Sequence, residues 1–443
     1  MKKLFTILIL SCIFTVKTSY ADKIAVIGGG ASGLVAAWLL EQKHDVTVYE
    51  AQDRLGGHAN SIEVMVDGAP VVVEAGAEFF NEAFYPNFMK LLRYLDIPLK
   101  SFTLVSTFYK TNGSDQIILP PYHDGKVEWG SLTPANLYRS LQLKTVIDNG
   151  RKLIKKHDTV TTLHAFVDGL SVSKSFKVEF LYPLLAAAWG VTPEDVQDYS
   201  AYNALKYLIE GYDTEKYRWY EVTGGLKKYI ESVRDSLRHT EIRLNSRVKE
   251  VGKMNTRYTV MTEQGDVKEY DHLVFATDAS VASHILGTLN ETADLAQLLG
   301  KIRYIDTKIA IHGDARFMPP KKDDWRVANV RFNGSKSALT MYKAWKSKTP
   351  IFKSWVTYDV RSPKDTGSPV PDKLYALINY RHPVTDYNFF MVQDEIRKLQ
   401  GNNNIWFVGM WTYDNDSHES AIASAVRVAQ HLAPDSERLK VFQ

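Results

Sequence analysis

Between residues 23 and 49 the spacing of apolar positions changes period twice. Lys23-Ile24-Ala25-Val26-Ile27 is a short, almost continuous apolar run, the pattern of a strand buried on both faces. A glycine turn follows, then helical spacing over 34–43, then a second strand over 45–49. That succession predicts a βαβ unit opening a parallel sheet. From 86 to about 220 the pattern reads as mostly helical and aromatic, with residues 180–189 its most apolar part. A βαβ-like character returns at Gly224-Gly225, with a helix over 226–237 and strands near Ile242 and over 258–262. His272-Leu273-Val274-Phe275-Ala276-Thr277 reads as a buried strand with a small-residue exit. Residues 302–380 are strand-rich, 405–409 form a last buried strand, and 419–432 a closing helix. There is no internal repeat and no low-complexity tract.

The first 21 residues change the picture. Lys2 and Lys3 precede a 13-residue, mostly apolar run from Leu4 to Val16, and Ser19-Tyr20-Ala21 gives a small-x-small cleavage pattern. This is the form of a secretory signal, which predicts an exported protein, periplasmic or secreted, whose mature chain begins at Asp22. An uncleaved anchor and a lipoprotein acylated at Cys12 are the alternatives. Cys12 is the only cysteine, so residues 22–443 would hold no disulfide, no thiolate nucleophile and no cysteine metal ligand. The formal charge of +3 is carried by Lys2, Lys3 and Lys17, which leaves a neutral body and no electrostatic case for a nucleic-acid partner. No other long apolar run suggests an integral membrane segment, and the tail 435–443 is short and polar. At 45% hydrophobic and 24% charged, the composition is that of a globular chain with two or three cores.

Gly28-Gly29-Gly30-Ala31-Ser32-Gly33 matches G-x-G-x-x-G between a predicted strand and a predicted helix. Such a turn lets a pyrophosphate approach the backbone at a helix N-terminus. Glu50 ends the second strand 22 residues after Gly28, where an acid accepts the ribose hydroxyls and repels a 2′-phosphate. These residues alone leave NAD and FAD open.

Glu50-Ala51-Gln52-Asp53-Arg54-Leu55-Gly56-Gly57-His58 resembles the E-x-x-x-R-x-G-G-[RH] extension of the flavin-containing amine oxidase superfamily, within it a bacterial subgroup of predicted FAD/NAD-binding oxidoreductases. The resemblance implies FAD, held noncovalently, with Arg54 reaching the pyrophosphate and Gly56, Gly57 and His58 lying against the cofactor. It extends to Gly76-Ala77-Glu78, similar to the segment that approaches the flavin, and to the Thr223-Gly224-Gly225 turn. Val248 matches a valine whose backbone meets adenine, and Ala276-Thr277 a strand exit near the cofactor. Gly409-Met410-Trp411 and His418-Glu419-Ser420-Ala421 match the C-terminal flavin-contact region. The fold implied is α/β, a Rossmann-like FAD-binding domain of amine-oxidase type with an inserted α+β substrate domain. Its cofactor domain would take 22–85, 220–290 and 396–434, and its substrate domain 86–219 and 291–395.

The activity implied is a FAD-dependent oxidoreductase taking a hydride equivalent from a small organic substrate, an amine or an apolar molecule. Lys308 matches a lysine that holds water at the flavin ring, His418 a position at the flavin pyrimidine edge, and Trp411 a replacement substrate wall. The family's acid after the last strand is absent, with Met410 and Trp411 there, and Ser417 stands where an amine cage would have an aromatic. A desaturase or isomerase acting on a lipid or polyene is the second reading, and a non-catalytic FAD-binding partner module the third. The electron acceptor is not written in the sequence.

Overall fold

The computed structural model describes residues 21–212, 218–362 and 367–443, so the predicted signal, except Ala21, lies outside the described residues. Its first layer is a five-stranded, all-parallel sheet. The order is Glu241–Arg243, Asp45–Tyr49, Lys23–Ile27, His272–Phe275 and Ile405–Phe407. Val26 sits level with Val48 and Val274, and all three are buried. Helix Ala31–Leu40 packs beside the closing helix His418–Leu432, and all ten of its residues are buried. A helix with no polar face has no solvent side, which accounts for its weak apolar periodicity.

The second layer is a seven-stranded sheet. Its order is Leu374–Pro383, Tyr304–His312, Phe352–Trp355, Ser337–Tyr342, Ala328–Phe332, Ser106–Lys110 and Gln116–Leu119. One pair, Ala328–Phe332 with Ser106–Lys110, is parallel and the others antiparallel. Helices Pro134–Lys155, Tyr182–Trp189 and Ala201–Tyr212 belong to the same side of the molecule.

Two expectations are corrected. The stretch 86–220 is not mostly helical at its start: Leu99–Phe102, Ser106–Lys110 and Gln116–Leu119 are strands. Ser106–Lys110 pairs with Ala328–Phe332, more than two hundred residues away in sequence, a partnership no local pattern announces. The polar tail is also part of the fold. Glu437–Phe442 is a 3₁₀ helix with Leu439 buried, and Arg438 Nη1 lies 2.6 Å from Glu41 Oε1. Among the described residues no helix is long and apolar enough to cross a membrane.

Candidate functional site

The site begins where strand Lys23–Ile27 ends. Gly28 has φ +112°, and a Cβ there would stand 2.7 Å from the Ala276 carbonyl oxygen, so only glycine fits. Helix Ala31–Leu40 starts at Gly30 with no side-chain cap, leaving its first N–H groups, at Ala31, Ser32 and Gly33, for an acceptor from outside the chain. Glu50 accepts the Gly29 N–H at 2.7 Å through Oε2 and the Gln52 N–H at 2.8 Å through Oε1, with Ala51 half-buried between them. The Ser246 N–H reaches the Glu50 carbonyl at 2.8 Å, bringing the strand that starts at Val248 beside this acid.

A second loop lies against the first. Gly56 donates to the Gly29 carbonyl at 2.9 Å, and Gly57 sits over Gly30. Arg54, half-buried, holds the Gly57 carbonyl at 3.1 Å through Nη2. The segment carrying Gly76, Ala77 and Glu78 crosses next: a Cβ on Gly76 would be 1.9 Å from the His58 carbonyl oxygen, and Ala77 N–H donates to that oxygen at 3.2 Å. A backbone-lined turn at an uncapped helix start, with Gly28 and Gly76 too closely packed for any Cβ, fits a dinucleotide pyrophosphate. The residues present therefore suit FAD, with Gly28 to Gly33, Glu50, Arg54, Gly56, Gly57 and Gly76 positioned to hold it.

At the far end, Ala276 and Thr277 leave strand His272–Phe275 beside Gly409, whose φ is +138°. Met410 is half-buried. Trp411 is not a substrate wall. It is almost wholly buried, its ring is against Phe407, and its Nε1 donates to the Thr277 carbonyl at 2.9 Å. The short 3₁₀ turn Met410–Thr412 swings the indole inward, where it braces two strand exits. His418 Nε2 is 2.9 Å from the Tyr229 hydroxyl, and its ring meets Phe88 edge-on at 4.5 Å. Burial, reinforced by His58, pushes its pKa down to about 3, so it stands neutral. Helix His418–Leu432 is capped by Ser417, not His418, and Ser417 Oγ takes the Ser420 N–H at 3.1 Å. Glu419 is committed elsewhere: its carboxylate accepts the Asn87 and Phe88 N–H groups at 3.0 and 2.9 Å, capping helix Pro86–Tyr94 rather than touching a cofactor. Ala421, at the same helix start, is half-buried.

Lys308 does not face the site. Strand alternation turns it outward and exposed, while its neighbour Thr307 is buried opposite Tyr380. Two other lysines are buried, and one of them, Lys353, lies on the adjacent strand level with Ile311. Its Nζ donates to the Gly76 carbonyl at 2.7 Å and to Glu78 at 3.0 Å. Lys343 also reaches Glu78, at 2.7 Å, and Glu221 at 2.7 Å. Burial alone would raise the Glu78 pKa, but the two ammonium groups outweigh it and hold it below the ordinary carboxylate value.

Other groups were hidden from sequence reading. Tyr380 stacks on His58 at 4.7 Å and accepts from Asn60 at 2.9 Å. His382 lies 5.8 Å from His58, and burial, with His58 and Lys353 adding, pushes its pKa down to about 3. Asp416 is buried with Oδ2 on Trp189 Nε1 at 2.8 Å and Oδ1 without a partner, and burial pushes its pKa up to about 6. Alternation about a buried strand marks Lys353 in hindsight; nothing local marks Asp416 or His382. Among the described residues no group of three or more His, Cys, Asp or Glu could hold a metal ion.

Residues 31–346 match the family model of flavin containing amine oxidoreductases. A 99-residue stretch is 35% identical to the carotenoid phi-ring synthase of Streptomyces griseus, covering 22% of this chain and 19% of that one. The match thus spans about a fifth of that curated relative's length. The CLA-producing fatty acid isomerase of P. acnes superposes with a TM-score of 0.67 at 15% identity, over 93% of this chain and 98% of that one. Cyclohexylamine oxidase from Brevibacterium oxydans IH-35A gives 0.64 at 16% identity, over 95% and 100%. At such identities the likeness shows the fold.

Proposed function

The chain belongs to the flavin-containing amine oxidoreductase family, and on that premise we propose that it is a FAD-dependent oxidoreductase acting on a small organic substrate. The observation that carries this is the uncapped start of helix Ala31–Leu40 at the glycine turn, with Gly28 pressed against the Ala276 carbonyl and Gly57 laid over Gly30, the backbone arrangement that receives a pyrophosphate. FAD, when bound, supplies a two-electron acceptor for a hydride equivalent from a C–N or C–C bond. The chain's own residues bind and orient: Arg54 and the start of helix Ala31–Leu40 serve phosphate, and Glu50 serves ribose. His382 and His418, both uncharged, group about His58, and the Lys353 ammonium beside them is balanced by Glu78, so this end of the site offers polar edges without net charge. We propose a noncovalent cofactor, since no cysteine follows residue 12.

The family's name makes amines the first substrates to try. A lipid or polyene desaturase or isomerase is the second reading, favoured by two particular features. Ser417 is a helix cap where an amine cage would need an aromatic, and Trp411 is locked in the core and cannot replace it. The basic and apolar run of residues 2–16 supports export with cleavage after Ala21.

Purified residues 22–443 should be yellow and release FAD on denaturation. An anaerobic screen then separates the readings: bleaching by amines supports the first. Turnover of unsaturated acyl chains without response to amines supports the second. Colourless protein that rejects added FAD overturns both. N-terminal sequencing of the protein recovered from cells tests the cleavage site, with Asp22 expected first.

A further inference from the structure

The unit from the hairpin Tyr122–His123 and Lys126–Val127, through the turn Trp129–Ser131, into helix Pro134–Lys155 carries an apolar surface that nothing in the fold covers. Trp129 is 77% and Leu141 65% exposed, and Tyr122, Leu137 and Tyr138 are each at least half exposed. Isolated exposed apolar residues are ordinary, but five of this size within twenty residues of one element are not. The unit is firmly anchored from behind. Glu128 holds His123 and Arg326 at 2.7 Å each, Ser131 Oγ takes the Ile118 N–H at 2.8 Å, and Leu143, Val146 and Ile147 face the core.

Helical spacing puts Leu137, Leu141, Lys144, Asp148, Arg151 and Lys155 on one face of Pro134–Lys155, three basic residues against one acid. That face is apolar at its N-terminal end and basic towards its C-terminal end. Between 120 and 156 there are seven basic and three acidic residues. All three acids are engaged, Glu128 with His123 and Arg326, and Asp148 with Lys144 and Arg151. Asp124 is paired with Arg218.

We infer that this face docks the protein on an anionic phospholipid surface. Indole and phenol rings favour the interface between acyl chains and headgroups, and shallow apolar insertion flanked by lysine is the arrangement of peripheral membrane helices. Charge decides against a second copy of the chain, because a two-fold contact would set the basic stretch against itself, whereas anionic headgroups attract it. The inference stands apart from the flavin reading, since none of these residues lies in the cofactor groove.

The test is sedimentation with vesicles, using the full chain and the chain beginning at Asp22 so that the N-terminal apolar run cannot supply the binding. Both should partition onto phosphatidylcholine vesicles with about one third phosphatidylglycerol, and much less onto phosphatidylcholine alone. The triple variant Trp129→Ser, Tyr138→Ser, Leu141→Ser should lower partitioning by about tenfold or more with melting temperature unchanged. The variant Lys144→Glu, Lys152→Glu, Lys155→Glu should lose the preference for anionic lipid. Partitioning of the Asp22 chain that the triple variant leaves intact would overturn the inference. So would the absence of partitioning, or a concentration-dependent dimer abolished by the same three substitutions, which would make the face a protein interface.

Discussion

The two walls of the candidate site are built from different material. On the parallel-sheet side the groove is backbone: Gly28 under the Ala276 carbonyl, Gly76 under that of His58, and an uncapped helix start. Opposite, it is tied to the seven-stranded sheet by buried charge, with Lys353 on that sheet and Lys343 just after one of its strands pairing Glu78 and Glu221, all four nearly inaccessible. The first wall cannot accept an added atom. The second cannot lose a single partner, because a buried charge without one costs far more than the pair contributes.

The contrast is sharpest at Gly76. Gly76→Ala places a Cβ 1.9 Å from the His58 carbonyl oxygen, and FAD affinity should fall by about a hundredfold, near the upper end of overpacking costs. Fluorescence titration of the apoprotein measures this, and wild-type affinity would show that the segment moves freely. Removal of charge comes next. Lys343→Met leaves Glu78 with Lys353, and Glu221 with Lys346 and Trp345. Partial service of both acids sets the expected loss at about 3 kcal/mol in urea unfolding, the lower end for a broken buried pair. Adding Glu221→Gln should recover part of that loss; a purely additive result would remove the network from the account.

Asp416, just before the closing helix and against Trp189, Asn203 and Tyr207, tests buried charge of a different kind, by pH. Its folded pKa of about 6 is raised above the unfolded 3.8, so the neutral acid is favoured in the fold. That contribution is complete below the unfolded value and is lost as pH rises through about 6. Asp416→Asn does not titrate there, so its stability relative to wild type should improve by on the order of 2–3 kcal/mol between about pH 4 and pH 7. A difference flat with pH would mean the carboxyl is solvated. The smallest effect belongs to Lys308: exposed on its strand, Lys308→Ala should change stability by less than about 0.5 kcal/mol. A slowed flavin reduction in that variant would restore it to the site.

Much of the cofactor wall was legible because it is local. Gly28 to Gly33 and Glu50 lie within one βαβ unit, and strand, turn and acid announce one another by spacing. The inserted wall was not. Resemblance points Lys308 towards the flavin, yet the register Thr307 to Tyr380 turns it out and gives a buried position to Lys353 on the next strand. A one-residue shift along a strand exchanges faces, and an isolated sequence does not contain the register. The resemblance makes Trp411 a substrate wall and Glu419 a cofactor contact, but the structure turns them to the Thr277 carbonyl and the start of helix Pro86–Tyr94, partners distant in the chain.

By itself, then, the sequence determined the nucleotide-binding half: glycine at Gly28, Gly30 and Gly33 and an acid at Glu50 encode a short-range backbone geometry that needs few distant contacts. Tertiary structure alone decided which lysines are buried, which acid is left half-paired at Asp416, and that His382 and His418 stand neutral near His58. Those properties arise from pairing between strands and helices far apart in the chain, where burial and neighbouring charge, not residue type, set what a side chain does.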